Sequence, residues 1–323
     1  MSAPVAITGA AAVTPAGEVP LDALPDAVQG RALRGERMTQ LALAAAGPAL
    51  SAAGLAVCEG PPRPEVGVVL GTAFGCFLTN VEYQRRLAEG GIGAASPRLF
   101  AATVSNAAAG ELAIAYRLGG PSVTVSAGAA SGLVALGHAA ELVRAGRVRA
   151  IVAGGLDALG DAVLEWMRDG GLDPGVPATE AAAVLVLETA GSARARGASI
   201  LGTIEGHAAG FEPRGGESQG LAAAVARALG DAGVPPADIE LVVSGAGPGA
   251  ARAEDEALRA ALGGLAPRRI RPKLARGEAF GAAGPLGLLA AFAEAARGAA
   301  VLVTDVCASG HVAALVGRVG DGA

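Results

Sequence analysis

Gly120-Pro121-Ser122-Val123-Thr124-Val125-Ser126-Ala127-Gly128-Ala129-Ala130-Ser131-Gly132-Leu133 is the stretch on which the fold turns. A Gly-Pro turn opens it, a β-branched run from Ser122 to Ser126 follows, and a string of small residues leads into a helix over Leu133 to Arg144. In that helix Leu133, Leu136, Ala140 and Val143 recur on one face. A strand passing through a tight turn into an amphipathic helix is the repeating unit of sheets covered by helices. The alternation continues in both directions. Strands are expected at Val5 to Thr8, Val66 to Gly71, Arg149 to Ala153, Ala183 to Glu188, Ser199 to Glu205, Glu240 to Ser244, Ala300 to Thr304 and Val312 to Val319. Most of these are near-continuous Val, Ile, Leu and Ala, as expected of strands covered on both faces. Gly191 to Gly197 separates two groups of strands, so residues 1–190 and 198–323 are expected to form two halves of one compact α/β unit.

Composition narrows the function classes. Hydrophobic residues make up 52% of the 323 and charged residues 17%, which calls for a large buried core. A formal net charge of −5 argues against a nucleic-acid binder, which needs clustered cations to displace counterions. The longest uncharged stretch, Leu118 to Ala140, is interrupted by Gly119-Gly120-Pro121, so no membrane span is expected. Met1-Ser2-Ala3-Pro4 lacks the basic-then-apolar pattern of a secretory signal, and a cytoplasmic location is expected. Three scattered cysteines, Cys58, Cys76 and Cys307, and three histidines give no disulfide framework and no metal-ligand spacing. Neither a metal nor a cofactor is expected. Of the 25 basic residues only Lys273 is a lysine.

Several strings carry possible chemistry. Gly245-Ala246-Gly247-Pro248-Gly249-Ala250 fits a dinucleotide-binding pattern, but no acidic residue ends a strand about 20 residues later, and in a chain with 50 glycines the plainer reading is a tight turn. Ser131 lies in a strand-to-helix turn, yet His138 is seven residues further along the same helix, about 10 Å away and beyond hydrogen-bond reach. His207 and His311 could approach it only through the fold. Cys307 and His311 are four residues apart, a spacing compatible with an activated thiol, but the plainer reading is a small buried thiol beside a loop histidine.

Val5-Ala6-Ile7-Thr8-Gly9 through Thr14-Pro15-Ala16-Gly17 resembles the opening of β-ketoacyl synthases, the condensing enzymes of fatty-acid and polyketide synthesis. Further segments follow in the family's order: Gly71 to Gly75, Ser105 to Gly110, Gly120 to Ser126, Ala153 to Asp157, Ala183 to Glu188, and Pro272-Lys273 through Gly281-Ala282-Ala283-Gly284. The likeness covers nearly the whole chain. It implies the thiolase-like fold, two similar halves whose stacked sheets are sandwiched by helices in α-β-α-β-α layers. Where the family string reads T-V-D-T-A-C-S-S, this chain reads Thr124 to Ser131 with Ala129 in the place of the nucleophilic cysteine. A methyl group cannot attack a thioester. The family's first histidine sits eleven residues before a glutamate, and counting back from Glu256 gives Gly245. The second follows a lysine by five residues, and here Lys273 is followed at that distance by Glu278. The resemblance pairs Lys273 with Glu256, over an interval two residues shorter than the family's.

Decarboxylation of a malonyl group needs donors for the developing enolate oxygen, which a glycine lacks and an anionic glutamate opposes. The resemblance therefore points to the chain-length factor of type II polyketide systems, a silent subunit in a heterodimer with an active ketosynthase that is served by an acyl carrier protein. It places tunnel-lining positions at Phe77, Asn80 and Gln84, one helical face, and a strand pairing across the dimer at Ser122, Val123, Thr124, Val125 and Ser126. The family's longer insertion is compressed here to residues 158–182, in keeping with lost catalysis. Two other readings stand beside this one: a diverged acyl-transfer or condensing enzyme that uses Cys307 or Ser131, and a purely structural subunit.

Overall fold

A computed structural model describes residues 3–213 and 217–320. In chain order the elements are β1 (Val5–Val13), α1 (Asp26–Ala32), α2 (Arg37–Ala52), β2 (Val66–Gly71), α3 (Phe77–Gly90), α4 (Pro97–Ala101), α5 (Ala107–Ala115), β3 (Ser122–Val125), α6 (Ser131–Arg144), β4 (Ala150–Asp157), α7 (Asp161–Asp169) and β5 (Ala181–Thr189). After α8 (Ala190–Ala195) come β6 (Gly202–Phe211), α9 (Glu217–Ala232), β7 (Ile239–Val243), α10 (Ala251–Ala261), β8 (Arg268–Ile270), α11 (Pro272–Arg276), α12 (Ala283–Glu294), β9 (Ala300–Val306) and β10 (His311–Val319).

The strands run β3-β2-β4-β5-β1-β6-β10-β9-β7-β8. On one side β2 pairs in parallel with β3 and β4, and β4-β5-β1 are antiparallel. On the other side β7 pairs in parallel with β8 and β9, and β9-β10-β6 are antiparallel. The two halves thus repeat one pairing pattern. They are also joined directly, since Val5, Ala6 and Ile7 of β1 pair with Ile204, Thr203 and Gly202 of β6. The two sheets expected as separate layers are therefore hydrogen-bonded along one short seam.

Three apolar clusters give the layering. α2 and α5 cover the outer face of β2, β4 and β5 through Leu41, Leu50, Leu112 and Tyr116. α9 and α10 cover the outer face of the second half through Leu221, Val225 and Leu258. Between the halves lies a layer holding α6 and α12, with Leu133, Leu136 and Leu288 packed against Ile151, Leu185, Val243, Val303 and Leu315 from both sheets. Small residues let this middle layer close tightly. A Cβ on Gly132 of α6 or Gly155 of β4 would overlap the carbonyl oxygen of Gly281, just before α12. The positions that bring the two halves into contact therefore also fix the turns at the strand ends, where the site lies. Among the described residues no helix is long and apolar enough to cross a membrane.

Candidate functional site

β3 and β2 end side by side, and their loops meet at the start of α6. Asp157, the last residue of β4, ties that junction together. Its buried carboxylate accepts the Thr72 hydroxyl at 2.6 Å and the backbone N–H groups of Ala73, Phe74 and Gly281 at 2.9, 2.9 and 2.8 Å. Burial pushes its carboxyl up to about 6 against the pull of those donors.

The β3–α6 turn passes through Gly128 at φ +58° and presents Ala129. The Ala129 methyl is nearly buried. Its N–H donates to the Sγ of Cys307, 3.3 Å away on the β9–β10 connection. Ser131 is fully buried, accepts the Ala127 N–H at 2.8 Å and donates to the Gly128 carbonyl at 2.6 Å. Its hydroxyl is spent on holding the turn, which corrects the reading of Ser131 as a nucleophile. His138 lies on α6 beyond it, and His207 is engaged with Glu141 at 3.3 Å, with burial pulling its imidazole below the ordinary value. His311 does join Cys307, through a residue missing from the sequence reading. Ser309 Oγ lies 3.1 Å from Cys307 Sγ and 2.9 Å from His311 Nδ1.

Lys273 is buried on α11, with Nζ 2.8 Å from Glu278 Oε2 and 3.1 Å from Asp305 Oδ1. Burial pulls its ammonium down, and the two carboxylates more than offset this, leaving it above the ordinary lysine value. Burial pushes Asp305 up to about 7 despite the facing ammonium, and its Oδ2 has no hydrogen-bond partner among the described residues. Glu278 also accepts the Phe280 N–H at 2.8 Å, and its backbone pairs with Pro177 and Thr179 of the segment before β5, both at 2.8 Å.

The glutamate expected to face Lys273 is misassigned. Glu256 is exposed on α10 and pairs with Arg252 at 3.0 Å. The buried face of that helix carries Glu254, Ala257 and Leu258, at i, i+3 and i+4. Glu254 bonds Ser244, the N–H groups of Gly245 and Ala246 at 3.1 and 3.3 Å, and Thr304 Oγ1 at 2.6 Å. It closes the end of β7 and is not the partner of Lys273. The two-residue shortfall in the Glu256–Lys273 interval was the signal, because Glu254 restores it. Counting back eleven from Glu254 gives Val243 in place of Gly245, and no histidine stands between 243 and 250. A Cβ at Gly245 would overlap the Thr304 carbonyl, so the backbone there admits no side chain. Glu254→Ala should lower stability by about 2 kcal/mol or more by orphaning buried donors, whereas Glu256→Ala should stay within about 0.5 kcal/mol; urea unfolding measures both.

Phe77 packs against Trp166 of α7 (ring centroids 6.0 Å apart), Trp166 against Phe74 (6.2 Å) and Phe74 against Phe280 (4.7 Å). Asn80 donates to Cys76 Sγ at 3.2 Å, and Gln84 is exposed. The three expected wall positions thus run along α3 from a packed ring to solvent. β3 ends at Val125, so Ser126 belongs to the turn. β3 is the outer strand of its half, and Thr124 Oγ1 is buried with no hydrogen-bond partner among the described residues. Those residues contain no group of three or more His, Cys, Asp or Glu side chains able to hold a metal ion.

The family profile for the N-terminal domain of β-ketoacyl synthases matches residues 17–165. The chain is 32% identical over 315 residues to the actinorhodin polyketide putative beta-ketoacyl synthase 2 of Streptomyces coelicolor, covering 88% of this chain and 75% of that one. It is 33% identical over 276 residues to the tetracenomycin polyketide synthase ketoacyl synthase beta subunit of Streptomyces glaucescens, covering 76% and 65%. Two solved structures share the fold over 99% of this chain and all of theirs. One is a type II polyketide synthase acyl-carrier protein in complex with its ketosynthase bound to the hexaketide, with TM-score 0.85 at 20% identity. The other is the ishigamide ketosynthase/chain length factor, with TM-score 0.79 at 22% identity.

Proposed function

The chain belongs to the β-ketoacyl synthase family, and from that premise we propose that it is a chain-length factor. In this role it forms no carbon–carbon bond itself, pairs with an active ketosynthase and lines part of the space into which a polyketide chain extends from an acyl carrier protein. The observation that carries the reading is Ala129 at the turn where the family places its nucleophile. The rest of the machinery is lost with it, since no histidine stands between 243 and 250 and Glu278 is locked onto Lys273. No imidazole is left at either position to stabilise an enolate.

What is retained suits assembly. The edge of β3 carries unpaired backbone groups, a template for a strand of the partner. Ser122 to Ser126 form this edge and its exit, and Ile114 of the adjoining α5 is 52% exposed. Phe77 and Asn80, followed by Gln84, would form the wall of the space between the subunits, apolar at one end and polar at the other. The alternative of a purely structural subunit makes the opposite prediction about product.

The test is co-expression with a ketosynthase that has its cysteine and both histidines, followed by mass spectrometry of the carrier-bound products. Phe77→Ala is expected to lengthen the product by at least one two-carbon unit, and a bulky residue at Asn80 or Gln84 to shorten it. Unchanged length in an intact complex would favour the structural subunit. Elongation or decarboxylation of malonyl-carrier by this chain alone, at a rate like that of the pair, would overturn the proposal.

A further inference from the structure

Ala129 leaves the turn without a nucleophile, yet a sulfur atom stands beside it. We propose that Cys307 is an acyl-accepting thiol, which takes an acyl group from a pantetheine thioester by thiol exchange. The inference goes beyond the chain-length reading and does not depend on it.

Three observations carry it. The Sγ of Cys307 receives the Ala129 N–H at 3.3 Å, at the N-terminal end of the 14-residue α6. A backbone donor and the positive end of a helix both face the sulfur. Gly128 makes the approach possible, because a Cβ there would overlap the sulfur. Ser309 then links Cys307 to His311 at 3.1 and 2.9 Å, so a hydroxyl connects a nucleophile to a base within hydrogen-bond reach. Phe211 holds the imidazole edge-on, with ring centroids 5.1 Å apart. The thiol is partly exposed, and Ala308 and Ser309 beside it are open to solvent.

The other two cysteines lack this setting. Cys76 is buried and donates to the Thr103 carbonyl at 3.0 Å. Burial, with Glu59 beside it, pushes the Cys58 thiol up from its ordinary value. They serve as internal controls.

The exchange balances without any other reactant. The Ser309 hydroxyl, which donates to Cys307 Sγ at rest, turns to His311 Nδ1 and gives it a proton while the Ser309 oxygen takes the Cys307 proton. The thiolate attacks the thioester carbonyl, and a new carbon–sulfur bond forms. The carbon–sulfur bond to pantetheine breaks, and the departing thiolate takes the proton back from His311. The acyl group rests on Cys307 and cannot be condensed there, since no imidazole faces it from the end of β7 or from position 278.

The experiment incubates the full chain with acetyl-pantetheine and follows acylation by intact mass and peptide mapping. One acetyl group is expected, on Cys307, and none in Cys307→Ala. His311→Gln and Ser309→Ala are each expected to slow acylation at least about tenfold, with an unchanged far-ultraviolet spectrum showing that the fold persists. Acetylation spread equally over Cys58, Cys76 and Cys307, no acylation of folded protein, or rates unaltered in both His311→Gln and Ser309→Ala would overturn the proposal. Product length in the paired complex is read separately, so either idea can fail alone.

Discussion

Replacing Lys273 with methionine is expected to cost about 3–5 kcal/mol of unfolding free energy, because it leaves buried carboxylates without their cation. The Nζ lies between Glu278 and Asp305 at 2.8 and 3.1 Å, and all three side chains are within a tenth of complete burial. The loss should depend on pH in a defined direction. Asp305 has a folded-state value of about 7, pushed up by burial from the ordinary aspartate range. A group raised in this way contributes stability that is complete below its unfolded value and is lost as pH rises through the folded one. The protein should therefore lose stability from this group between about pH 4 and 7. In Lys273→Met, Asp305 loses the cation that restrains it, and its titration should move to higher pH. The variant should thus be most damaged above pH 7 and partly rescued near pH 5.5, where the Asp305 carboxyl takes up a proton. Urea unfolding at the two pH values measures this. A loss under about 1 kcal/mol that does not change with pH would show that the cluster is solvated enough not to need its lysine.

That cluster also shows how far the sequence could be read. Lys273 stood out as the single lysine and Glu278 through its spacing, but Asp305 sits in an apolar strand, Ala300 to Val306, with nothing local to link it to Lys273. It is reached through space, across the β9–β7 pairing and the α11 turn. Ser309 was missed for a similar reason, because its importance comes from bridging two residues whose own spacing drew attention. Glu254 was legible in principle, since helical periodicity puts it on the buried face with Ala257 and Leu258 and Glu256 on the other. Among the strands, β2 was read to the residue because Val66 to Gly71 is buried throughout. β1 runs on to Val13 through Gly9-Ala10-Ala11-Ala12, residues with little strand preference that are held by pairing with β5. β8, Arg-Arg-Ile, gave no apolar signal and exists because β7 offers a parallel edge. Periodicity reports burial, so elements specified by their neighbours were the ones it could not find.

Asp157→Ala is expected to be comparably damaging, by about 3 kcal/mol or more, because four donors converge on one carboxylate. Thr72, Ala73, Phe74 and Gly281 would each be left without their acceptor, at about 1–3 kcal/mol for a fully buried donor, less whatever water repairs. Asparagine should rescue little, since it offers one carbonyl oxygen and turns an NH₂ toward the remaining donors. The damage should extend to the aromatic group, because Asp157 fixes the loops carrying Phe74 and Phe280, whose rings meet each other at 4.7 Å and reach Phe77 through Trp166. The near-ultraviolet circular dichroism of the single tryptophan should weaken before the far-ultraviolet signal does. Burial holds the Asp157 carboxyl near 6, so its contribution is greatest below about pH 4, falls as pH rises through 6 and is level above that. The stability gap between wild type and Asp157→Asn should accordingly narrow from pH 4 to pH 6.5 and then stay constant. A gap that widens over that range would mean that the donors outweigh burial and that the carboxylate is the form the fold prefers.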